Sequence, residues 1–292
     1  MADEPPRSRT AREAAERALV RVVHHYGARP EFVVLGGLVP ELLCSRSGFR
    51  HAGTTDVDVQ VDLEIACGSV NTRRLERALC NAEFVPDGEY VWRWRAVGAS
   101  ASAIVKFELL ADLETAPAGS SVRFDGCESL GAANLRGTGF ASRDSTTRQL
   151  KARIGGVEHV AEVHVTGLAG FLLAKCAAAY SRRTQKDCDI AFVLLHNDAG
   201  GPEAAAQAVL DRFGGQLGPI RTALNELAAN FANPEAQGPR ASARQMAIDH
   251  PEVEPARALA DAVVAVDAFC THVMAACAGA DDPSDADPTG AA

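Results

Sequence analysis

Residues 56–63 read Asp, Val, Asp, Val, Gln, Val, Asp, Leu. A period of two is the signature of a strand with one polar and one apolar face, so this part of the chain is committed to a sheet. Upstream, residues 31–35 (Glu-Phe-Val-Val-Leu) are short, β-branched and bounded by Pro30 and the pair Gly36-Gly37. They read as a buried strand feeding a glycine turn. Pro40 then suits the first turn of a helix running to about Arg46, and 47–55 read as a loop before the acidic strand.

Signals around this unit alternate between helix and strand. Thr10 followed by Glu13 forms a capping box, and Ala14, Ala18, Leu19, Val22 and Val23 recur at helical spacing until Gly27. A helix is expected over 71–82 with Asn71 as its cap, then strands over 90–95 and 103–110. Residues 116–151 are rich in Gly, Ser and Thr and carry weak signals for two or three short strands, and 159–165 reads as another strand. Beyond Gly167 the signals turn helical: 168–180, 188–196, 203–213, 219–231, 241–248 and 255–278. The expected class is therefore α/β (α+β), with a mixed-sheet domain over 10–166 and a helical domain over 167–278. The tail 279–292 has almost no large apolar side chain to offset its ordering entropy and is expected to be disordered.

Composition limits the possible functions. A chain of 292 residues that is 47% hydrophobic has the material for roughly two cores. The formal net charge of −9 disfavours sequence-independent coating of nucleic acid, which depends on many cations meeting phosphates. Any RNA contact needs a local basic patch. No run approaches about 18 consecutive apolar residues, and the first ten residues are polar, so a soluble, cytoplasmic protein without a membrane partner is expected. The eight cysteines are scattered without a Cys-x-x-Cys pair, which argues against a zinc site and a disulfide framework.

Chemistry concentrates on the acidic strand. Asp56 and Asp58 sit at i and i+2, on one face, roughly 7 Å apart along the backbone. Two such carboxylates suit Mg²⁺, a cation that keeps its waters and bridges to substrate phosphates. Glu108, in the apolar run 104–110, is the candidate third carboxylate; a surface pair with Lys106 is its alternative reading. The Gly36-Gly37 turn, leading into a helix beside this strand, offers backbone N–H groups for phosphates. Lys175 stands on an otherwise apolar stretch and needs an anion nearby or an outlet to solvent. Arg182, Arg183 and Lys186 follow it, forming a local basic patch or capping a helix C-terminus. Trp92 and Trp94 alternate with Arg93 and Arg95, a pattern that stacks a base or, more commonly, packs a sheet face. His51 is within sequence reach of a phosphate contact, although loop histidines are mostly ordinary.

Leu35-Gly36-Gly37, followed by Arg50-His51-Ala52-Gly53-Thr54-Thr55-Asp56-Val57-Asp58-Val59, resembles the signature of the nucleotidyltransferase superfamily, particularly the AbiEii-type toxins of type IV toxin–antitoxin systems. Leu172-Leu173-Ala174-Lys175, then Arg182-Arg183 and Lys186-Asp187-Cys188-Asp189-Ile190, resembles the later Leu-x-x-Lys … Arg … Lys-Asp-x-x-Asp stretch of the same proteins. The resemblance covers about residues 30–196. It implies a nucleotidyltransferase-type mixed sheet and a Mg²⁺-dependent enzyme using a nucleoside triphosphate. It also implies the 3′ end of a tRNA as an acceptor and a cognate antitoxin as a partner. Carried over, Asp56 and Asp58 are metal ligands, Gly36 and Gly37 the phosphate turn, Thr54 a neighbouring polar contact, Lys175 a triphosphate contact and Asp189 a late acidic catalytic residue. The gap from Gly37 to Asp56 exceeds the family's usual spacing and inserts a loop beside the site. The Lys-Asp-Cys-Asp run is one residue short, which leaves Asp187 and Asp189 as alternatives for the acidic role.

Three functions compete on these residues: nucleotide transfer to an RNA 3′ end, transfer to a small cationic acceptor of the aminoglycoside kind, and nucleotide binding without catalysis. The acidic net charge suits the second, since it attracts cationic molecules and repels RNA. The altered spacings motivate the third.

Overall fold

The computed structural model describes residues 8–51, 53–88, 90–97, 104–182 and 187–279, and all statements of structure refer to these. The first half is a mixed sheet with helices on both sides; the second half is helical.

Helix α1 (Arg9–Tyr26) opens two residues earlier than the capping-box reading requires. Its cap is Ser8, whose Oγ accepts from the Ala11 amide at 3.2 Å, while Thr10 lies inside the first turn. Ser8 is extended, the backbone that aims a hydroxyl at the orphan amides of a helix start. The chain continues through β1 (Val33–Leu35), a 3-10 turn at Gly36–Leu38, and α2 (Val39–Leu43). Next come β2 (Asp56–Gln60), α3 (Asp62–Ala66), α4 (Ser69–Asn81), and the antiparallel pair β3 (Phe84–Asp87) and β4 (Tyr90–Ala96). The strand expected over 56–63 thus stops at Gln60. Asp62 ends it: its carboxylate accepts from Gln60 Nε2 at 2.8 Å and from the Asp112 amide at 2.9 Å, contacts that turn the chain into α3. Helix α4 begins two residues before Asn71, after Gly68.

Strand β5 (Lys106–Ala111) is followed by β6 (Ser121–Arg123), β7 (Gly131–Asn134), the short α5 (Phe140–Arg143), β8 (Ser145–Ile154) and β9 (Val157–Thr166). The weak-signal region therefore holds two short strands and the start of a ten-pair hairpin closed at Gly155-Gly156. A two-glycine loop between strands is a hairpin signal in its own right. Sheet order is β3-β4-β5-β2-β1-β9-β8, with β7 joining the C-terminal end of β5 and β6 pairing β7. β2 runs antiparallel to β1 and parallel to β5; β1 runs parallel to β9.

The alternation in β2 sorts the layers. Val57 and Val59, with Phe107, Leu109 and Trp94 of the neighbouring strands, are buried in the main core with residues of α1 and α4. Phe107 meets Phe32 and Phe84 edge to face at 6.0 and 5.9 Å. Trp94 is thus a core residue. Trp92 lies at the periphery, with the Arg93 guanidinium 4.5 Å from its ring centroid. The opposite face carries Asp58, Glu108, Leu35 and Leu110, and the last two pack on Ala141 of α5 and on Ala174.

Ala174 belongs to α6 (Leu168–Arg182), the first helix after the sheet, which is followed by α7 (Asp187–His196), α8 (Pro202–Phe213), α9 (Arg221–Asn230), α10 (Gln237–Asp249) and α11 (Pro255–Gly279). Asp144, at the start of the hairpin, caps α6 by accepting from the Gly170 amide at 2.8 Å. By length and composition α11 qualifies as a membrane span over Pro255–Ala276, with mean hydropathy 1.5, a feature that counting uninterrupted apolar residues misses because Asp261 and Asp267 interrupt the run. In the fold it packs on α7, α8, α9 and α10 and buries Ala262, Ala265, Val266, Phe269 and Val273, as a bundle-core helix does.

Candidate functional site

The sheet register lines up Leu35, Asp58, Glu108 and Arg93 across β1, β2, β5 and β4, with Asp56 opposite Lys106 two pairs further along. Asp58 and Glu108 are buried, at 7% and 5% exposure, and Asp56 is half-buried at the strand's leading end. Because Leu35 pairs with Asp58, the chain leaving β1 passes directly over the Asp58 carboxylate. A Cβ on Gly36 would lie 1.8 Å from Asp58 Oδ2, and Gly36 has φ +76°. One position on, a Cβ on Gly37 would lie 2.6 Å from Thr54 Cβ. Thr54 in turn accepts from the Asp56 amide at 3.1 Å through Oγ1. The glycine pair and the Thr54–Asp58 segment therefore interlock, and only residues without a Cβ permit that approach.

Beneath the turn lies Arg12 of α1, 1% exposed. Its Nη2 donates to the Leu38 carbonyl at 2.9 Å, and its Nε faces Glu16 at 2.9 Å and Glu41 at 3.3 Å. Arg9 holds Glu41 from the other side at 2.7 Å. This clamp fixes the glycine turn against the first helix. Sequence reading missed it, although an arginine on the apolar stripe of a helix is a signal that its charge is answered somewhere.

From the helical half, Lys175 reaches the same place. It lines a narrow cleft, partly open to solvent, together with Leu35, Gly36, Asp58, Leu110, Thr138 and Phe171. Its Nζ is 2.5 Å from Asp189 Oδ2 and 5.6 Å from the centre of the Phe171 ring. Asp189 is fully buried and its other oxygen, Oδ1, is 2.9 Å from His51 Nε2. So Asp189 does not front the cleft; it holds Lys175 there. His51, read from sequence as an ordinary loop residue, is 4% exposed, sits edge-on to Phe192 at 4.9 Å and completes the cluster.

The extra residues between Gly37 and Asp56 explain how His51 gets there. Asp198 accepts from Ser45 Oγ at 2.6 Å and from the Arg46 amide at 2.8 Å. Phe49 stacks on His196 at 4.5 Å and meets His250 edge-on at 4.9 Å. His250 also reaches the Arg50 backbone through Nε2, 2.8 Å from the carbonyl. The loop is thus pinned to the helical half at Ser45–Arg46 and again at Phe49–Arg50. Burial, reinforced by neighbouring His250, pushes the His196 imidazole down to about 4, so it is neutral inside this aromatic cluster.

The expected site residues divide accordingly. Gly36, Asp58 and Lys175 line one cleft. Gly37, Thr54 and Asp56 adjoin them along the turn and strand but are not among its lining residues. Glu108 lies beside Asp58 in the sheet, but its Oε1 is 2.8 Å from Arg93 Nε, so its alternative partner is an arginine on β4 and not Lys106. Among the described residues no three His, Cys, Asp or Glu side chains are gathered as a metal-holding group. As oxygen donors Asp56 and Asp58 fit a hard cation; Glu108 beside them has one oxygen, Oε1, engaged by Arg93. Arg182 is the last residue of α6; its side chain, that of Asp187, and Arg183 and Lys186 altogether lie outside the described residues. No protein-family model, curated protein or solved structure matches the chain.

Proposed function

We propose that the chain is a Mg²⁺-dependent nucleotidyltransferase of the AbiEii-like kind, with the nucleotidyltransferase-type sheet that its motifs resemble. It moves a nucleoside monophosphate from a triphosphate to an acceptor hydroxyl, the RNA 3′ end being the acceptor that the resemblance favours. One observation carries the reading: the Gly36 backbone lies against Asp58, and Lys175, from the other half of the chain, lines the same cleft. An acidic pair beside a glycine turn and a lysine is the donor set a metal triphosphate requires.

In this reading the amides of the Gly36–Leu38 turn and the Lys175 ammonium bind phosphate oxygens. The cleft wall of Leu110, Leu135, Phe171 and Ala178 excludes water and takes the apolar part of the nucleotide. Asp56 and Asp58 would hold Mg²⁺, which supplies charge neutralisation at the phosphates when bound. The acceptor hydroxyl loses its proton to water as its oxygen bonds to the α-phosphorus, the bond to the bridging oxygen breaks and pyrophosphate leaves; Lys175 and the turn stabilise the charge that develops there. Arg182, Arg183 and Lys186 supply the basic contacts for an RNA end. Labelled triphosphate incubated with Mg²⁺, total RNA and the protein tests this. Label should enter RNA with wild type and not with Asp56→Ala; no transfer by wild type, or equal transfer by the variant, refutes it.

A second acceptor class is favoured by charge: at −9 the chain attracts a small polycation more readily than RNA. Mass shifts of exactly one nucleoside monophosphate on an aminoglycoside, absent on RNA, would select it.

A further inference from the structure

The loop between Gly37 and Asp56 is longer than a connection between α2 and β2 needs, and its residue His51 ends against Asp189. A fully buried carboxylate has to keep its charge answered at all times. Lys175 answers it at 2.5 Å, yet Lys175 is also the cation facing the cleft. Any anion that draws the ammonium away leaves Asp189 to its other contacts, among them His51 Nε2 at 2.9 Å and the weak donor Cys188 Sγ at 3.7 Å.

We propose that His51 is a positioning residue for Lys175, holding Asp189 so that Lys175 can exchange that carboxylate for a phosphate group of a nucleoside triphosphate in the cleft. The inference rests on the proposed function for the identity of the anion. With Nε2 directed at Asp189, the proton-accepting atom of the neutral ring is Nδ1, which is buried without a protein hydrogen-bond partner. The ring also lines a small hollow, partly open to solvent, with Cys188, Phe192, Ser242, Gln245, Asp249 and His250. Among the described residues, the charged and titratable groups around His51 include Asp189 and Cys188 of α7, Lys175 of α6, Asp249 and His250 at the end of α10, and Arg50 of its own loop. As Lys175 departs, one positive charge leaves Asp189; one proton from solvent on Nδ1 restores it, and Asp249 on the wall of the hollow favours that charge. Phosphate binding in the cleft is therefore coupled to proton uptake at His51.

Calorimetry of the full chain with inorganic tripolyphosphate and Mg²⁺, at about pH 7.5 in two buffers of different ionisation enthalpy, reads both affinity and protons exchanged. His51→Gln keeps an N–H donor for Asp189 and cannot take a proton; His51→Leu keeps neither. The expected result is more protons taken up by wild type than by His51→Gln. Affinity should fall in both variants, at least about tenfold in His51→Leu and by less in His51→Gln, which loses the proton but keeps the donor. If His51→Leu unfolds, as its thermal transition would show, the proton count of His51→Gln decides alone. Equal proton uptake by wild type and His51→Gln, or full affinity in a folded His51→Leu, overturns the inference while leaving the phosphate site standing. Failure of wild type to bind tripolyphosphate overturns the site and the inference together.

Discussion

Replacing Gly36 by alanine tests the contact on which the site is built. Two costs add at this position. A residue with a Cβ at φ +76° sits in the left-handed region, at about 1–2 kcal/mol. The new methyl would also lie 1.8 Å from Asp58 Oδ2, 2.6 Å from Cγ and 2.8 Å from Cβ. Rotating the Asp58 side chain does not clear the last of these, because Cβ is fixed to a central strand; the turn itself has to move, at roughly 1–3 kcal/mol for overpacking. The expected loss is about 2–5 kcal/mol, and at roughly 2–4 °C per kcal/mol for a chain of this size the thermal midpoint should fall by about 5 °C or more. Binding of tripolyphosphate should disappear in whatever fraction stays folded, since the amides of the turn no longer lie over the carboxylate. Gly37→Ala is the comparison: its φ is not left-handed, so only the clash with Thr54, whose Cβ would lie 2.6 Å away, is added and the drop should be smaller. A Gly36→Ala protein with an unchanged midpoint and unchanged tripolyphosphate affinity would refute the geometry of the turn.

Other perturbations have equally definite outcomes. Asp189→Asn leaves the Lys175 ammonium buried with its charge unanswered and should cost about 3–5 kcal/mol in urea unfolding. The double replacement Lys175→Met with Asp189→Leu should recover most of that stability while abolishing phosphate binding; a double variant no better than the single would show that the pair is not coupled. Arg12→Met removes the donor to the Leu38 carbonyl and should lower stability by about 1.5–3 kcal/mol and weaken triphosphate binding, whereas an effect on stability alone would dissociate the clamp from the turn. His196 has its folded pKa lowered to about 4 from 6.5, so the unfolded chain binds its proton first as pH falls. Its neutral burial therefore favours the folded state fully above pH 6.5, and this contribution is lost between there and about pH 4. Its upper bound of ~3 kcal/mol, at about 1.4 kcal/mol per tenfold change in proton affinity, drops to ~1–2 kcal/mol once partial exposure is allowed for. Urea midpoints at pH 7 and pH 4.5 should differ less in His196→Phe than in wild type by that amount; equal pH dependence would show that His196 is not buried neutral.

Local patterns were legible where one face of an element decides its structure. The alternation in β2 defined both its strand character and the shared face of Asp56 and Asp58, and the glycine pair marked the turn that crosses Asp58. The limits of those patterns are equally physical. Asp62 continues the same alternation but ends the strand, because its partners Gln60 and Asp112 come from the tertiary fold. β6 and β7 have little pattern of their own, since they are placed by pairing with each other and with the end of β5. Glu108 was identifiable as a buried strand carboxylate, but its partner Arg93 is a register fact: the two meet only once β4 lies antiparallel to β5. His51 and Asp189 are 138 residues apart, and Arg12 and Leu38 are 26 apart. No spacing rule links such pairs. Their signal was thermodynamic, a charge placed on an apolar face that has to be answered, and it told that a partner exists without naming it.

The central claim is that the cleft between Asp58, the Gly36–Leu38 turn and Lys175 holds a metal triphosphate. A crystal structure with Mg²⁺ and a non-hydrolysable nucleoside triphosphate tests it most directly. The account predicts phosphate oxygens within hydrogen-bonding distance of the turn amides and of Lys175 Nζ, a cation between them and the carboxylates of Asp56 and Asp58, and Asp189 retained by His51. A triphosphate bound elsewhere, or none bound while Lys175 keeps its place on Asp189, would contradict it.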